Sequence, residues 1–175
     1  EMLDAARKAG TINMVNFNYR RVPAVQLVKR LIDDGRLGEI RHFRGQYLQD
    51  WIMDPEFPLV WRLQKHLAGS GALGDIGAHI TDLAMYLVGG ITDVVANMET
   101  FIKERPLEVE STGGSGLSAA KGQETGEVTV DDAASFLAKF ENGATATFDA
   151  PRLAAGRRNC NSLQINGSAG SVVFD

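Results

Sequence analysis

Apolar residues recur at helical spacing in three stretches of the chain, and each stretch predicts a helix with one buried face. The predicted helices cover residues 2–9, residues 23 to about 35, and residues 73–88. Gly10 and Gly35 follow the first two helices, at the position where a glycine is favoured. The third helix is the clearest, because its apolar residues advance in steps of three and four: Leu73, Ile76, Ile80, Leu83, Ala84 and Leu87.

Runs of β-prone residues predict strands over much of the remaining chain. The predicted strands are residues 11–17, 39–50 and 91–102 and the arms of two hairpins that turn at Asn142-Gly143 and at Asn166-Gly167. Residues 108–128 are rich in Gly, Ser and Thr, which predicts a flexible loop or lid. The sequence therefore predicts the α+β class, with a large, open, mostly antiparallel sheet and helices on one face.

Residues 1–19 are predicted to lie outside that sheet. A helix followed by a strand within residues 1–19 is typical of the last unit of an α/β sheet. The chain starts inside this helix and ends within an apparent strand at residues 171–175. We therefore expect a fragment cut at both ends, in which residues 1–19 belong to one domain and residues 20–175 to another.

Composition excludes several classes of protein but selects no function. The 175 residues carry 18 Lys and Arg against 22 Asp and Glu, a net charge of −4, without a basic run. This argues against a nucleic-acid or anionic-membrane partner. No stretch approaches the roughly 20 apolar residues of a membrane span. Cys160 is the only cysteine, which excludes an internal disulfide and favours a reducing, cytoplasmic location.

The third predicted helix carries the candidate chemistry. Asp75, His79 and Asp82 share a stripe beside the apolar one, and Asp75 and His79 are one helical turn apart. A carboxylate at that distance can orient an imidazole, and the pair suits proton transfer from an alcohol. Spacing alone leaves two other interpretations open, a solvated or capping contact and metal ligation. Gly74 and Gly77 favour function, because two glycines in a first turn weaken it unless a ligand or another segment approaches closely.

A glycine motif just before the third predicted helix matches the pattern of a nucleotide-binding site. Residues 69–74, GSGALG, match the dinucleotide pattern G-x-G-x-x-G. That pattern needs an apolar strand immediately before it, and residues 61–68 are polar and helix-prone instead. We therefore reject residues 69–74 as a cofactor site.

Further candidates lie in the loops and strand ends around this helix. Arg62, beside Trp61 in a proline-bounded loop, is expected to line a polar pocket. Tyr47 and Gln49 are expected on opposite faces of their strand, so that only one of them reaches a given site. Tyr19 follows the strand predicted at residues 11–17, where open α/β sheets place ligand contacts.

Read in order, these residues resemble the glucose-fructose oxidoreductase / inositol dehydrogenase / rhizopine-catabolism (Gfo/Idh/MocA) family of NAD(P)-dependent oxidoreductases. The segment GDIGAH at residues 74–79, followed by Asp82-Leu83, is the specific part. The other landmarks occur in register: NFNYRRVPA (16–24), GRLGEIRHFRGQYLQDW (35–51), WRLQK (61–65), AGSGALGDIGAHITDLAMYLVG (68–89) and INGSAGSVVF (165–174). The tryptophan-bearing strand and Trp-Arg loop are most similar to members acting on sugars.

The resemblance implies a two-domain enzyme. A Rossmann domain, of which residues 1–19 are the last helix and strand, binds NAD or NADP. Residues 20–175 form the substrate-binding and oligomerisation domain. The phosphate-binding glycines and a catalytic lysine from a Glu-Lys-Pro motif are absent from this chain, so the cofactor-binding residues are unknown and the fragment alone is expected to be inactive.

The implied reaction is oxidation of a secondary alcohol of a sugar or polyol. His79 is the expected general base, Asp75 orients it, and no metal takes part. Tyr19, Gln49 and Arg62 are the expected contacts to the remaining hydroxyls. The open sheet is expected to be largely apolar and to pair with a second copy of the chain. The alternative is a non-catalytic sugar-binding or assembly module that retains the fold.

Overall fold

Helices form where the apolar stripes predict them, in a computed structural model that describes residues 1–109 and 116–175. The helices are α1 (Met2–Ala9), α2 (Pro23–Asp33), α3 (Lys65–Ala68) and α4 (Ala78–Leu87). Short 3₁₀ turns cover Asn18–Arg21 and Trp61–Leu63, and a π-helical turn at Leu73–Gly77 leads directly into α4. The helix predicted at residues 73–88 is thus confirmed, except that its first turn is wider than an α-helical one.

The strands form one large and one small sheet. They are β1 (Ile40–Leu48), β2 (Ile91–Glu99), β3 (Glu104–Glu108), β4 (Lys121–Glu127), β5 (Ala133–Phe140), β6 (Thr145–Pro151), β7 (Cys160–Gly167) and β8 (Ser171–Phe174). The large sheet has six strands in the order β2-β5-β6-β1-β7-β8, and β3 pairs with β4 separately. In the large sheet only β1 and β6 run parallel. This mostly antiparallel sheet confirms the predicted α+β class.

The main core lies between one face of the large sheet and the helices α2 and α4. Alternate residues of β1, β5 and β6 point into it, among them Phe43, Phe140 and Phe148, all almost completely buried. Gly45 allows α4 to lie directly on β1, since a Cβ atom there would be only 2.6 Å from Ile80 Cγ1. This close contact sets the depth at which the start of α4 sits above the sheet.

A second, smaller core supports the loop after β1. It consists of the buried side chains Ile52, Leu59, Val60, Leu63, Val128 and Val130. Arg105 on β3 is fully buried beside it and donates hydrogen bonds to the carbonyl oxygens of Ile52 (2.7 Å) and Asp54 (2.8 Å). Burial lowers the pKa of the Arg105 guanidinium, and the charge of Asp132 opposes that shift. Arg105 therefore joins the small sheet to the loop.

The prediction of a strand at residues 11–17 is wrong for the structure. These residues form no strand and pair with no other segment of the described chain, and Ile12 is 99% exposed. A β-prone run becomes a strand only where a neighbour satisfies its backbone hydrogen bonds. The assignment of residues 1–19 to a Rossmann domain stays a prediction.

The loop predicted at residues 108–128 is only partly a loop. Lys121–Glu127 form β4, which pairs antiparallel with β3, and residues 110–115 lie outside the described part. Sequence reasoning missed β4 because it has few apolar residues and no clean alternation. The two predicted hairpins are present, although β7 continues through Gly167 and the second turn follows it.

The open face of the large sheet, on the side away from α4, is mostly polar. Arg44, Gln46, Asp149 and Gln164 project there from β1, β6 and β7, and Leu137 on β5 is an exposed apolar residue among them. The prediction of a largely apolar open face is therefore wrong. Its strands keep apolar residues for the helix side and alternate them with polar ones, as a sheet covered on a single face does.

No helix within the described ranges has the length and apolar character that crossing a lipid bilayer requires.

Candidate functional site

The start of α4 faces the 3₁₀ turn at Asn18–Arg21 and the end of β1, and this junction forms the candidate site. His79 projects from the first turn of α4 towards both. Its ring is flanked by three aromatic rings, which we call the aromatic enclosure: Phe17 at 5.8 Å, Tyr19 at 5.2 Å and Tyr47 at 6.1 Å between ring centroids. The Phe17 and Tyr19 rings stand nearly perpendicular to the imidazole, the geometry that aromatic pairs favour.

One nitrogen of this imidazole has no hydrogen-bond partner. His79 is half-buried, whereas its Nδ1 atom is buried and unpaired in the described structure. Buried polar atoms are almost always hydrogen-bonded, so an unpaired one needs a specific explanation. His79 Nδ1 is therefore a buried polar atom without a hydrogen-bond partner beside the three aromatic rings.

The π-helical turn before α4 is held by Asp131. Its Oδ1 and Oδ2 atoms accept hydrogen bonds from the backbone N–H groups of Gly71 (2.8 Å) and Leu73 (2.7 Å). Gly71 is required here, because a Cβ atom would lie 2.0 Å from the Asp131 carbonyl oxygen. A π turn inside a helix frequently marks a functional site.

The same contacts explain why residues 69–74 form no dinucleotide site. A phosphate-binding glycine loop needs free backbone N–H groups at a helix start. Here the Asp131 carboxylate occupies those of Gly71 and Leu73. Gly71 serves close packing against Asp131, a Cβ atom at Gly74 would meet Ser70, and Gly69 adopts a positive φ of 80°. These roles agree with the rejection of the motif on sequence grounds.

Asp75 interacts with two arginines. Its carboxylate oxygens lie 3.5 Å from an Arg62 guanidinium nitrogen and 3.7 Å from one of Arg152. Asp75 makes no hydrogen bond to His79 Nδ1, because that atom has no partner. Asp75 therefore does not orient the imidazole through this nitrogen. The carboxylate instead lies between two guanidinium groups, with which it makes charge-assisted contacts.

Arg152, at the end of β6, is almost completely buried beneath Asp75. It also donates to the Asp131 carbonyl oxygen at 3.0 Å and lies over the Trp51 ring, 5.6 Å from its centroid. Burial lowers the pKa of its guanidinium, and the negative charge of Asp75 opposes that shift. The pair Asp75–Arg152 thus links the start of α4 to the end of β6.

Asp82, on the stripe shared with Asp75 and His79, has a structural partner. Both of its oxygens accept hydrogen bonds from the Arg20 guanidinium, one at 2.8 Å from Nε. The hydrogen bonding with Asp82 is the largest cause that raises the pKa of the Arg20 guanidinium. Because Arg20 belongs to the 3₁₀ turn, the pair holds Tyr19 beside His79.

Tyr19, Tyr47, Asn159 and Gln49 form a hydrogen-bonded series that we call the tyrosine network. The Tyr19 and Tyr47 hydroxyl oxygens are 2.6 Å apart, the Tyr47 hydroxyl donates to Asn159 Oδ1 at 2.8 Å, and Gln49 Nε2 donates to the same oxygen at 2.8 Å. The expectation that Tyr47 and Gln49 lie on opposite faces is wrong: side chains two residues apart in a strand share a face.

Arg62 lines a small cavity beside the enclosure. The cavity measures about 190 Å³, and its walls are Trp61, Arg62, Ala68, Ser70, Gly74, Asp75 and Arg152. The Arg62 guanidinium lies over the Trp61 ring, 4.7 Å from its centroid, which agrees with the pocket-lining position expected from the sequence. The structure therefore places Asp75 and Arg62 at this cavity, and His79, Tyr19 and Gln49 at the enclosure and its network.

Sequence reasoning missed three side chains that hold the site together. Asp131 and Arg152 lie at strand ends, where charged residues ordinarily face solvent, and Asn159 lies in a polar turn. Only Arg152 carried a usable signal, since it directly follows the alternating strand β6. The other two are brought to the site by the topology of the sheet.

Within the described ranges, no three or more His, Cys, Asp or Glu side chains lie together in a way that could hold a metal ion. The two guanidinium groups beside Asp75 also disfavour a cation there.

Comparison with known proteins agrees with this architecture. Residues 25–173 match the family model of the GFO/IDH/MocA C-terminal domain. The chain therefore belongs to the GFO/IDH/MocA family, within which it corresponds to the C-terminal domain.

Particular relatives lie close to the chain. It is 48% identical to levoglucosan dehydrogenase from Pseudarthrobacter phenanthrenivorans, over 99% of this chain and 45% of that protein. A crystal structure of an oxidoreductase domain protein from Kribbella flavida is 55% identical, with a TM-score of 0.85 over 98% of this chain and 44% of that one. A levoglucosan dehydrogenase complex with NADH and L-sorbose has a TM-score of 0.87 at 47% identity, over 99% and 43%. The chain thus spans less than half the length of these relatives.

Proposed function

We propose that the full-length protein carrying this chain is an NAD- or NADP-dependent dehydrogenase that oxidises a secondary alcohol of a sugar or polyol. The observation that carries the proposal is the unpaired Nδ1 of His79, enclosed by aromatic rings beside a network of hydroxyl and amide groups. Levoglucosan dehydrogenase, which is 48% identical over 99% of this chain, supports the same class of substrate.

His79 acts as the general base in this proposal. An alcohol carbon releases hydride readily only if its hydroxyl loses a proton, and the imidazole is placed to accept that proton. Nicotinamide, when bound, takes the hydride. The aromatic enclosure limits access of water to the ring, which strengthens the interaction between imidazole and hydroxyl.

Asp75 acts indirectly, through the arginines it holds. With its carboxylate between Arg62 and Arg152, it positions one guanidinium at the cavity wall and neutralises part of the other's buried charge. A guanidinium with its five donors suits the oxygen atoms of a polyol. Arg62 therefore contacts substrate hydroxyls, as do Tyr19 and Gln49 on the other side of His79.

Residues 69–74 do not fit the phosphate groups of a dinucleotide, because Asp131 already occupies the backbone donors of Gly71 and Leu73. We propose that sequence outside this chain holds the cofactor. We likewise propose a cytoplasmic location, without nucleic-acid or membrane partners, which stays a prediction from composition.

The direct test is an activity assay on the full-length polypeptide. A panel of sugars, anhydrosugars and inositols is offered with NAD and with NADP, and reduced nicotinamide is followed by absorbance. Turnover of at least one polyol is the expected result. If the protein binds sugars without reducing either nucleotide, the alternative of a non-catalytic binding module is supported instead.

Asp75→Asn tests the role of the carboxylate. The substitution keeps the shape but removes the charge between two arginines. Because two ion pairs are lost, one of them to an almost completely buried guanidinium, kcat/KM should fall roughly tenfold to a hundredfold. Steady-state kinetics measure this, with Asp34→Asn, an exposed position after α2, as the matched control. Unchanged kcat/KM in Asp75→Asn would remove Asp75 from the site.

We also propose that the protein assembles into homo-oligomers through the open face of the large sheet. Its strands enclose a shallow depression of about 590 Å³ beside Leu137, whose side chain is 60% exposed. Polar residues around it offer hydrogen bonds rather than a purely apolar interface.

Leu137→Arg should therefore reduce the mass of the assembly. The new positive charge would lie beside Arg44 in the contact surface, and like charges there repel each other. Light scattering measures the mass, and Leu27→Arg on the exposed side of α2 is the control. A wild-type protein that is monomeric at high concentration would disprove this assembly.

A further inference from the structure

The tyrosine network has a direction that follows from counting its protons. A tyrosine hydroxyl carries a single hydrogen and can therefore donate only once. The Tyr47 hydroxyl donates to Asn159 Oδ1 at 2.8 Å. The Tyr19 and Tyr47 oxygens, 2.6 Å apart, must share another hydrogen, and the only one left is that of Tyr19. Tyr19 is thus the donor to Tyr47.

Any group that contacts the Tyr19 hydroxyl meets a hydrogen-bond acceptor. With its hydrogen spent on Tyr47, the Tyr19 oxygen has only lone pairs to offer, so it accepts hydrogen bonds and donates none. It does so at the edge of the aromatic enclosure, where its ring lies 5.2 Å from that of His79.

We propose that Asn159 is a positioning residue that sets this direction and thereby makes Tyr19 a selective acceptor for a hydroxyl group of the substrate. The proposal rests on the proposed function, since it specifies how the polyol is recognised. A hydroxyl group donates to such an acceptor, whereas fluorine or hydrogen in its place cannot.

Two further contacts keep the direction from reversing. Gln49 Nε2 donates to the same Asn159 Oδ1 at 2.8 Å, so the amide presents its oxygen to Tyr47. Asn159 directly precedes β7, whose first residue Cys160 pairs with Leu48 of β1, which fixes the backbone between the two partners.

Burial also keeps the Tyr47 proton in place. Tyr47 is 4% exposed, and burial is the largest cause that raises the pKa of its hydroxyl above the ordinary value. Tyr47 therefore remains a protonated donor over the pH range in which the enzyme would work.

The experiment compares Asn159→Leu with Asn159→Asp in the full-length enzyme. Leucine has a similar size and removes the acceptor, whereas aspartate retains an acceptor oxygen. Arg158→Leu, at the exposed neighbouring position, is the matched control. Each variant is assayed with the best polyol of the activity panel and with its monodeoxy and monofluoro analogues at each hydroxyl.

For the substrate hydroxyl that contacts Tyr19, the wild type should show similar KM values for the fluoro and the deoxy analogue, because neither analogue can donate a hydrogen bond there. Asn159→Leu should raise KM for the parent polyol about three- to tenfold, with a smaller change in kcat. It should also favour the fluoro over the deoxy analogue, since Tyr47 can then donate to Tyr19 and release the Tyr19 hydrogen towards the site. Asn159→Asp should restore the wild-type pattern. Equal losses in both variants, with unchanged analogue preference, would overturn the proposal and leave Asn159 a purely structural residue.

A measurement independent of activity separates this proposal from the proposed function. In NMR spectra of the full-length protein, the Tyr47 hydroxyl proton should exchange slowly with water and show a nuclear Overhauser contact to Asn159. The contact should be absent in Asn159→Leu. A Tyr47 hydroxyl proton directed at Tyr19 in the wild type would overturn the direction, whether or not any sugar is oxidised.

Discussion

Replacing His79 with alanine in the full-length enzyme should lower kcat for polyol oxidation by about a hundredfold to ten-thousandfold, the range that general bases typically contribute. His79 is the only imidazole at the aromatic enclosure of the described structure, and its Nδ1 atom has no hydrogen-bond partner there. Without it, the substrate hydroxyl has no group placed to accept its proton. KM should change less than kcat, because proton transfer belongs to the transition state.

The control for this experiment is His66→Ala. His66 lies on α3 and is exposed, so the same change of residue there should leave kcat within about twofold of wild type, as surface substitutions generally do. Thermal unfolding of both variants checks that neither loses the fold. If hydride transfer in His79→Ala survived within about tenfold, His79 would not be the base.

The position of His79 was predictable because it depends on local sequence. The apolar stripe of residues 73–88 fixes which side of the helix is buried, and His79 follows on the adjacent side. The hairpin at Asn142-Gly143 was predictable for the same reason, since turn chemistry acts over a few residues. Such features need no knowledge of what lies across the fold.

The partners of Asp75 were not predictable, because they are distant in sequence. Spacing suggested His79, one turn away, whereas the structure supplies Arg62 from a loop and Arg152 from the end of β6. Ion pairing of a carboxylate depends on every cation that the fold brings near, and periodicity describes only one element at a time. The tyrosine network shows the same limit, since Asn159 reaches Tyr47 only through the pairing of β1 with β7.

Strand predictions failed where pairing, rather than composition, decides the outcome. Residues 11–17 have the composition of a strand but no neighbour in the described structure, whereas Lys121–Glu127 have a poor composition and pair with β3. Strand formation depends on context more than helix formation does. The error at residues 11–17 affects the site, because Phe17 and Tyr19 contact His79 from that segment and the 3₁₀ turn after it, whereas His79 and Tyr47 lie on elements that were predicted.

Arg105→Met should destabilise the loop after β1 by about 3–5 kcal/mol, the effect of removing one partner from a buried charged cluster. Arg105 is fully buried, and its guanidinium donates to the carbonyl oxygens of Ile52 and Asp54. Methionine fills a similar volume but removes the guanidinium donor from the Ile52 oxygen and leaves the Asp54 oxygen with only the Phe57 N–H. It also leaves the buried Asp132 with Arg152 but without the charge of Arg105. Hydrogen exchange of residues 50–60, followed by mass spectrometry, should accelerate about a hundredfold to five-thousandfold.

The loop effect should reach the site through Trp51. This residue lies in the loop, and the Arg152 guanidinium lies over its ring at 5.6 Å. Loosening of the loop should therefore raise KM for the polyol while the proton-transfer step at His79 keeps most of its rate, the reverse of the pattern expected for His79→Ala. Arg36→Met, at an exposed position after α2, is the matched control and should change neither exchange nor KM. Exchange within about threefold of wild type in Arg105→Met would mean that the loop is held by its apolar core alone, because a loss below 1 kcal/mol is what an exposed arginine produces.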